Sequence, residues 1–337
     1  SLHQIDDQIS NSGAIQLKRK TTPIRKMDYT YWSSPVQSQR LVDVSPATLS
    51  DKFFSFDGAS DTWKNESPTS LMTIARGYII RGPQHFSTTV PSLYEAVFSG
   101  IPNNGIYDFP VGSDQFNLIG NPYPSAIDAD LFMTDINNAS SIDGALYFWT
   151  HNTPIQQSGS EYIYTADDYA TYNRTGGTGT AKGAALSGGQ VPSGKIASGQ
   201  SFFVGTASGI PANSRFQFKN SMRIIDQNTQ FFKQASTKKA TAIEKNRVWL
   251  NLTNSGGAFK QLLVGYITGA TNDWDNLYDG PTFDGQEFVD FYSVNQGKNL
   301  TIQGRALPFV DTDVVPLGYR STIAGSFDIS IDNRDGS

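Results

Sequence analysis

The segment from Asp273 to Asp290, DWDNLYDGPTFDGQEFVD, gathers carboxylates and aromatic rings in one place. Hard oxygen ligands on a flexible loop are what calcium requires, and Asp273, Asp275 and Asp279 could supply them. The strict EF-hand spacing is missing, and Asp-Gly pairs equally mark turns. Trp274 and Tyr278, read as exposed, could stack on a sugar ring, although packing against a sheet is the commoner use of such rings. The other candidates are weaker. His3, His85 and His151 lack the HxH or HExxH spacing of a metal site. His151 sits before a Pro turn, where a surface or turn-stabilising role is the plainer reading. Asp167 and Asp168 are adjacent, so on a strand they point to opposite faces and cannot be a facing catalytic pair. No GxSxG elbow is present, although a Ser-His-Asp triad is recognised by geometry and not by sequence. Gly176-Gly177 and Gly188-Gly189 do not lead from a strand into a helix, so no phosphate loop is expected. No catalytic residue is assigned, and an enzyme is not the expected class.

The elements that must position these groups are short strands. The 337 residues include Gly 31, Pro 16, Tyr 15 and Phe 21 against Met 4, the profile of an all-β protein with many turns. Cys 0 excludes disulfides and thiolate chemistry, and a net charge of -5 gives no draw toward nucleic acid. No apolar run approaches the ~20 residues of a membrane-spanning helix. The basic run Lys18-Arg19-Lys20 reads as a solvated edge-strand face. From Tyr29 on, apolar segments such as KFFSF, GYIIRG, FNLIG, QSFFVG and RFQFKN recur between turn residues. In the last of these Phe216 and Phe218 face one way, and Arg215, Gln217 and Lys219 the other, as in a half-buried antiparallel strand.

Phe116–Phe132, FNLIGNPYPSAIDADLF, reads as a strand, a rigid Pro turn and a short helix. Ser125 and Asp128 have the spacing of a capping pair, and Ile127 and Leu131 would share one helical face. The Gly- and Thr-rich segment from Tyr172 to Gly199 reads as a long exposed loop. The sequence thus predicts two all-β domains of sandwich or jelly-roll type. The first spans 1–235 and carries one short helix. A polar linker, 236–245, leads to a second domain at 246–337, where Val248, Leu250 and Leu252 alternate inward, as do Phe327, Ile329 and Ile331. Asn254–Gly257 would form a hairpin turn there. The opening SLHQIDDQ lacks Met and reads as part of a strand, as in a piece of a larger precursor.

The motifs YWSSPV, GYIIRGP, LIGNPYPSAIDAD, LYFWTHNTP, DDYATYN, SGQSFFV and FKNSMR follow one another in this order. Together they resemble the C-terminal region of Flavobacterium-type (Bacteroidetes) surface proteins exported by the type IX secretion system. The segment from VWLNLTNSGGAFKQLLVGYITGATN to PLGYRSTIAGSFDISID resembles the start of their C-terminal sorting domain. In that family the domain continues into further strands, so 246–337 is expected to be cut short. The resemblance implies a non-catalytic, secreted module displayed at the cell surface and reaching it through the periplasm. It implies as partners the outer-membrane β-barrel shuttle and the translocon of that system. The alternative is a carbohydrate-binding or adhesive β-module that contacts surface glycans through the loops at Tyr147–Tyr172 or Trp274–Tyr278.

Overall fold

A computed structural model describes residues 2–150, 156–158, 161–163, 168–180, 191–225, 227–228, 243–255, 258–283 and 288–336, with backbone alone at 156–158 and 161–163. The protein is all-β, with 45% strand and 5% helix. Among the described residues there are two short α-helices, Leu41–Val44 and Ala129–Thr134, where a single one was expected. Among the described residues, no helix is long and apolar enough to cross a membrane.

The chain forms two compact units, Ser1–Ile142 with Ala185–Ser187 and Lys195–Lys233, and Asp143–Ala184 with Gly188–Gly194 and Gln234–Ser337. The sequence reading placed all of 1–235 in the first domain. Asp143–Ala184 belongs instead with the C-terminal segment, because its backbone is bonded there. Trp249 Nε1 donates to the Gly177 carbonyl at 2.8 Å, and Gly179 N–H donates to Gln261 Oε1 at 2.9 Å. Such pairings between distant segments leave no trace in local composition. Of the expected linker, residues 236–242 lie outside the described residues, and Lys245 already opens a strand.

The first unit is built from small sheets. Tyr29–Trp32, Tyr78–Arg81, Phe53–Asp57 and Thr62–Asn65 form one in that order, and Phe116–Gly120 pairs with Ser201–Thr206. Phe216 and Phe218 are fully buried on Arg215–Phe218, while Arg215 is exposed, as the alternation predicts. Ile15–Lys20 is a strand paired with Glu95–Gly100. Its basic run divides. Lys18 and Lys20 reach Glu95 at 3.1 and 3.9 Å. Arg19 is buried and donates to the Asn228 carbonyl, so only part of that face is solvated. The opening residues are not a strand: Leu2–Asn11 lacks regular structure and is held through groups such as Asn104 Nδ2, which donates to the carbonyls of Asp6 and Ile9.

In the second unit a sheet of seven strands runs in the order Leu317–Ser321, Val289–Asn295, Lys298–Ala306, Phe259–Ile267, Lys245–Asn254, Phe327–Asp335, with Gly280–Pro281 also on Lys298–Ala306. Lys298–Ala306 runs parallel to Phe259–Ile267, whereas the other pairs are antiparallel. One core cluster joins Leu252 and Leu262 to Val289 and Phe291, and another joins Trp249, Leu263 and Ile302. Lys245–Asn254 and Phe259–Ile267 make the expected hairpin, though residues 256–257 of its turn lie outside the described residues.

Two expectations fail here. Phe327 packs on the first cluster, but Ile329 and Ile331 are 53% and 63% exposed, because no described element covers the sheet beyond that strand. The segment predicted as a loop contains strand pairs at Gly177–Thr178 with Thr171–Tyr172, and at Lys195–Ile196 with Ile127–Asp128. Residues 181–190, including Gly188-Gly189, lie outside the described residues.

Candidate functional site

The acidic turn of the second unit is a chain of carboxylates that accept backbone N–H bonds. Thr271 N–H donates to Asp275 Oδ2 at 2.5 Å, and Asp275 N–H donates to Asp279 Oδ2 at 3.0 Å. Gly304 N–H completes it, donating to Asp279 Oδ1 at 2.9 Å. The backbone closes one helical turn, with Asp279 N–H on the Asp275 carbonyl at 2.8 Å. Asp273 instead accepts from Gln296 Nε2 at 2.7 Å. Asp279 is fully buried, and that burial pushes its carboxyl up to about 7 against the opposing pull of its two N–H donors. These are turn-holding contacts. Among the described residues no group of three or more His, Cys, Asp or Glu is placed to hold a metal ion, and the oxygens of Asp273, Asp275 and Asp279 named above accept N–H bonds.

The two aromatic candidates part company. Tyr278 is buried, not exposed. The Arg174 guanidinium lies 5.0 Å from its ring centroid and donates to its hydroxyl at 2.9 Å, while Thr175 Oγ1 donates to its carbonyl at 2.7 Å. A ring so enclosed has no face for a sugar. Trp274 is half-buried; its Nε1 donates to Asn276 Oδ1 at 2.6 Å, and the Lys298 ammonium sits 3.6 Å from its ring centroid. Lys298 also pairs with Asp143 at 3.6 Å. The cation occupies a place that a stacking sugar would need.

The remaining candidates are dispersed. His3 Nε2 lies 3.2 Å from the Arg223 carbonyl, and His85 packs edge-on against Phe86 at 5.2 Å. His151 and Asp167 lie outside the described residues. Asp168 is buried, and its carbonyl accepts from both the N–H and the hydroxyl of Thr150.

The Asn121 turn of the first unit also holds structure, with a different cap from the one predicted. Asn121 Nδ2 donates to the carbonyls of Ser125 and Ile196 at 2.8 and 3.1 Å, and its Oδ1 accepts from Tyr123 N–H at 2.9 Å. The Ser125 hydroxyl accepts from Arg223 Nε at 2.9 Å and does not cap a helix. Asp128 is the cap, accepting from the N–H groups of Asp130 and Leu131. Ala126–Asp128 is a strand, so Ile127 is buried in a sheet, whereas Leu131 is exposed and Phe132 and Met133 form the buried helical face. Arg223 itself donates to Asn104 and Asn220 side chains at 3.0 and 3.1 Å and to the Leu2 carbonyl at 2.5 Å. Burial pulls its guanidinium down to about 10.

Among the described residues, two concavities of the second unit had no sequence motif to announce them. A shallow cleft lined by Tyr169, Phe283, Thr171, Thr178, Lys260 and Gln261 has room for about one water, at ≈ 20 Å³. A larger hollow of about 600 Å³ has Val248 and Val264 as its apolar lining, with Tyr266, Phe309, Asn246 and Arg334 around it. Tyr266 and Phe309 meet edge-on at 4.9 Å, and the Tyr266 hydroxyl donates to Asp313 Oδ2 at 2.8 Å. Its residues come from three strands and a loop. The only sequence signal was the apolar alternation of two of those strands.

The chain belongs to the family described as Domain of unknown function (DUF8693), whose family model matches residues 1–337. No curated protein and no solved structure matches the chain.

Proposed function

We propose that this chain is a non-catalytic β-module from the C-terminal part of a secreted cell-surface protein, serving export through the type IX secretion system and display at the surface. One observation carries this reading. Residues from three of the motifs that suggested it, Asn121, Tyr123, Ser125, Ser198, Asn220 and Arg223, are joined by hydrogen bonds within one unit. Ser198 Oγ donates to the Tyr123 carbonyl at 2.7 Å, and Arg223 bonds both Ser125 and Asn220. The shared motifs are thus a scaffold, as suits a display module. Its partners would be the outer-membrane β-barrel shuttle and the translocon, met by way of the periplasm. The direct test fuses the segment from residue 236 to the end of the natural reading frame to a fluorescent reporter with a periplasmic leader. In a cell with an intact secretion system the reporter should reach the surface; retention in the periplasm overturns the proposal.

A second reading, glycan binding, is favoured by the hollow beside Tyr266 and Phe309. Its volume of about 600 Å³ is that of a ligand site, and Phe309 is 54% exposed beside the polar groups of Asn246 and Arg334. A glycan array probed with the purified chain tests it. Binding should vanish in Phe309→Ala, and an array without a hit removes this reading.

A further inference from the structure

Residues 2–11 of the first unit have no regular structure and none of them is buried; Ile5 and Ile9 are 80% and 54% exposed. What holds this strap is polar. Gln4 and Asn11 close it into a loop through a reciprocal amide pair at 2.7 and 2.9 Å. Its two ends are pinned where Leu2 N–H donates to the Pro124 carbonyl and Asn11 Nδ2 to that of Pro102. Elsewhere the bed beneath the strap donates and the strap accepts. Arg223 Nη2 donates to the Leu2 carbonyl at 2.5 Å, and Asn104 Nδ2 to the carbonyls of Asp6 and Ile9, both at 2.8 Å. Asn220 N–H donates to the Asp7 carboxylate at 3.0 Å. The bed is held in place by its own contacts. Arg223 is buried, lies 4.9 Å from the Tyr123 ring centroid, and bonds Ser125 and Asn220. Gly105 lets strap and bed approach, because a Cβ there would stand 2.9 Å from the Asp7 carbonyl oxygen.

We propose that this bed is a binding site for an extended acidic peptide, and that residues 2–11 are the chain's own displaceable ligand for it. The chemistry selects the class. Lifting the strap leaves four N–H groups of Arg223, Asn104 and Asn220 without their acceptors. Carbonyls along an extended chain satisfy three of them, and a carboxylate takes the fourth. The Arg223 guanidinium adds a positive charge, which favours an acidic ligand. The site reads backbone and acid, while the isoleucines of the strap stay in solvent. A segment held without apolar burial opens locally at small cost, with the unit beneath it still folded. Opening hands the bed to the acidic segment of a partner, and closing shuts it again.

Fluorescence anisotropy tests the site with a labelled peptide of sequence LHQIDDQISN, that of residues 2–11. It is titrated with the 337-residue chain and with a variant lacking residues 1–11. The shortened chain should melt near the parent, since none of residues 2–11 is buried. It should bind the peptide with a Kd on the order of 100 µM, and the full chain about tenfold more weakly or worse. A peptide carrying Asp7→Ala should bind the shortened chain about tenfold more weakly, having lost the bond from Asn220 N–H. One carrying Ile5→Ser and Ile9→Ser should bind as the parent peptide does. Equal binding by the two chains, or none by the shortened one, would overturn the proposal. So would loss of cooperative melting in the shortened chain, which would make the strap part of the fold and not a ligand. Dependence on the two isoleucines in place of Asp7 would overturn it as well.

Discussion

Two turns, one in each unit, solve the same problem with different chemistry. At Asn121 a single amide donates to two carbonyls and accepts one N–H, so one neutral side chain satisfies both kinds of backbone group. At Thr271–Asp279 the side chains are carboxylates, which only accept when ionised. Two of them are therefore used in series, each taking N–H groups from a different part of the turn. The neutral turn has no titratable group in its bonding. The acidic one buries Asp279 completely, and the charge it must carry at high pH works against the fold. Polar residues that resemble chemistry can thus be structural in both places, while only one of the two places responds to protons.

The largest effect should come from breaking the neutral turn. Asn121→Ala removes the side-chain partner of two buried carbonyls and one N–H, and should cost about 3 kcal/mol of stability, read from urea unfolding of the first unit. Asp279→Ala removes the acceptor of Gly304 and Asp275 N–H but also removes a buried carboxyl. Its cost should be smaller, about 2 kcal/mol at pH 5, and should shrink as the pH rises toward 7 and beyond. Should Asp279→Ala prove the more damaging of the two at neutral pH, the comparison fails. Asp128→Ala, which removes a helix cap shared with an ion pair to Lys195, should cost about 1 kcal/mol. Ser125→Ala should leave that helix start intact, since its hydroxyl bonds Arg223. Helical amide exchange at Asp130 and Leu131 separates the two caps.

The all-β class was legible because apolar alternation and turn residues are local signals. The same alternation succeeded at Phe216 and Phe218 and failed at Ile329 and Ile331. Alternation says which face of a strand can be buried; it does not say whether anything covers it. The Ser125/Asp128 spacing fits a capping pair, yet Ala126–Asp128 became a strand because Lys195–Ile196 and Arg223–Ile224 flank it. Those partners are far away in sequence. Tyr278 was misplaced for a similar reason, since Arg174, which covers its ring, is 104 residues distant. Asp279 was legible only as one of three carboxylates, with Asp273 and Asp275, that could serve calcium. Its burial comes from packing in the folded unit, and nothing in the sequence distinguished it from the exposed Asp273.

The contrast between the two turns can be measured at two amides, Gly304, which donates to Asp279, and Tyr123, which donates to Asn121. A carboxyl whose folded value is raised makes opening easier as pH climbs from the open-state value toward the folded one. Asp279 moves from 3.8 to about 7, so its contribution to stability is fully present below about pH 4 and is lost by about pH 7. Hydrogen exchange corrected for intrinsic rates should show the opening free energy at Gly304 falling by up to about 1.4 kcal/mol per pH unit across that window. At Tyr123 it should stay level. A level profile at Gly304, or the same slope at both amides, would contradict the account.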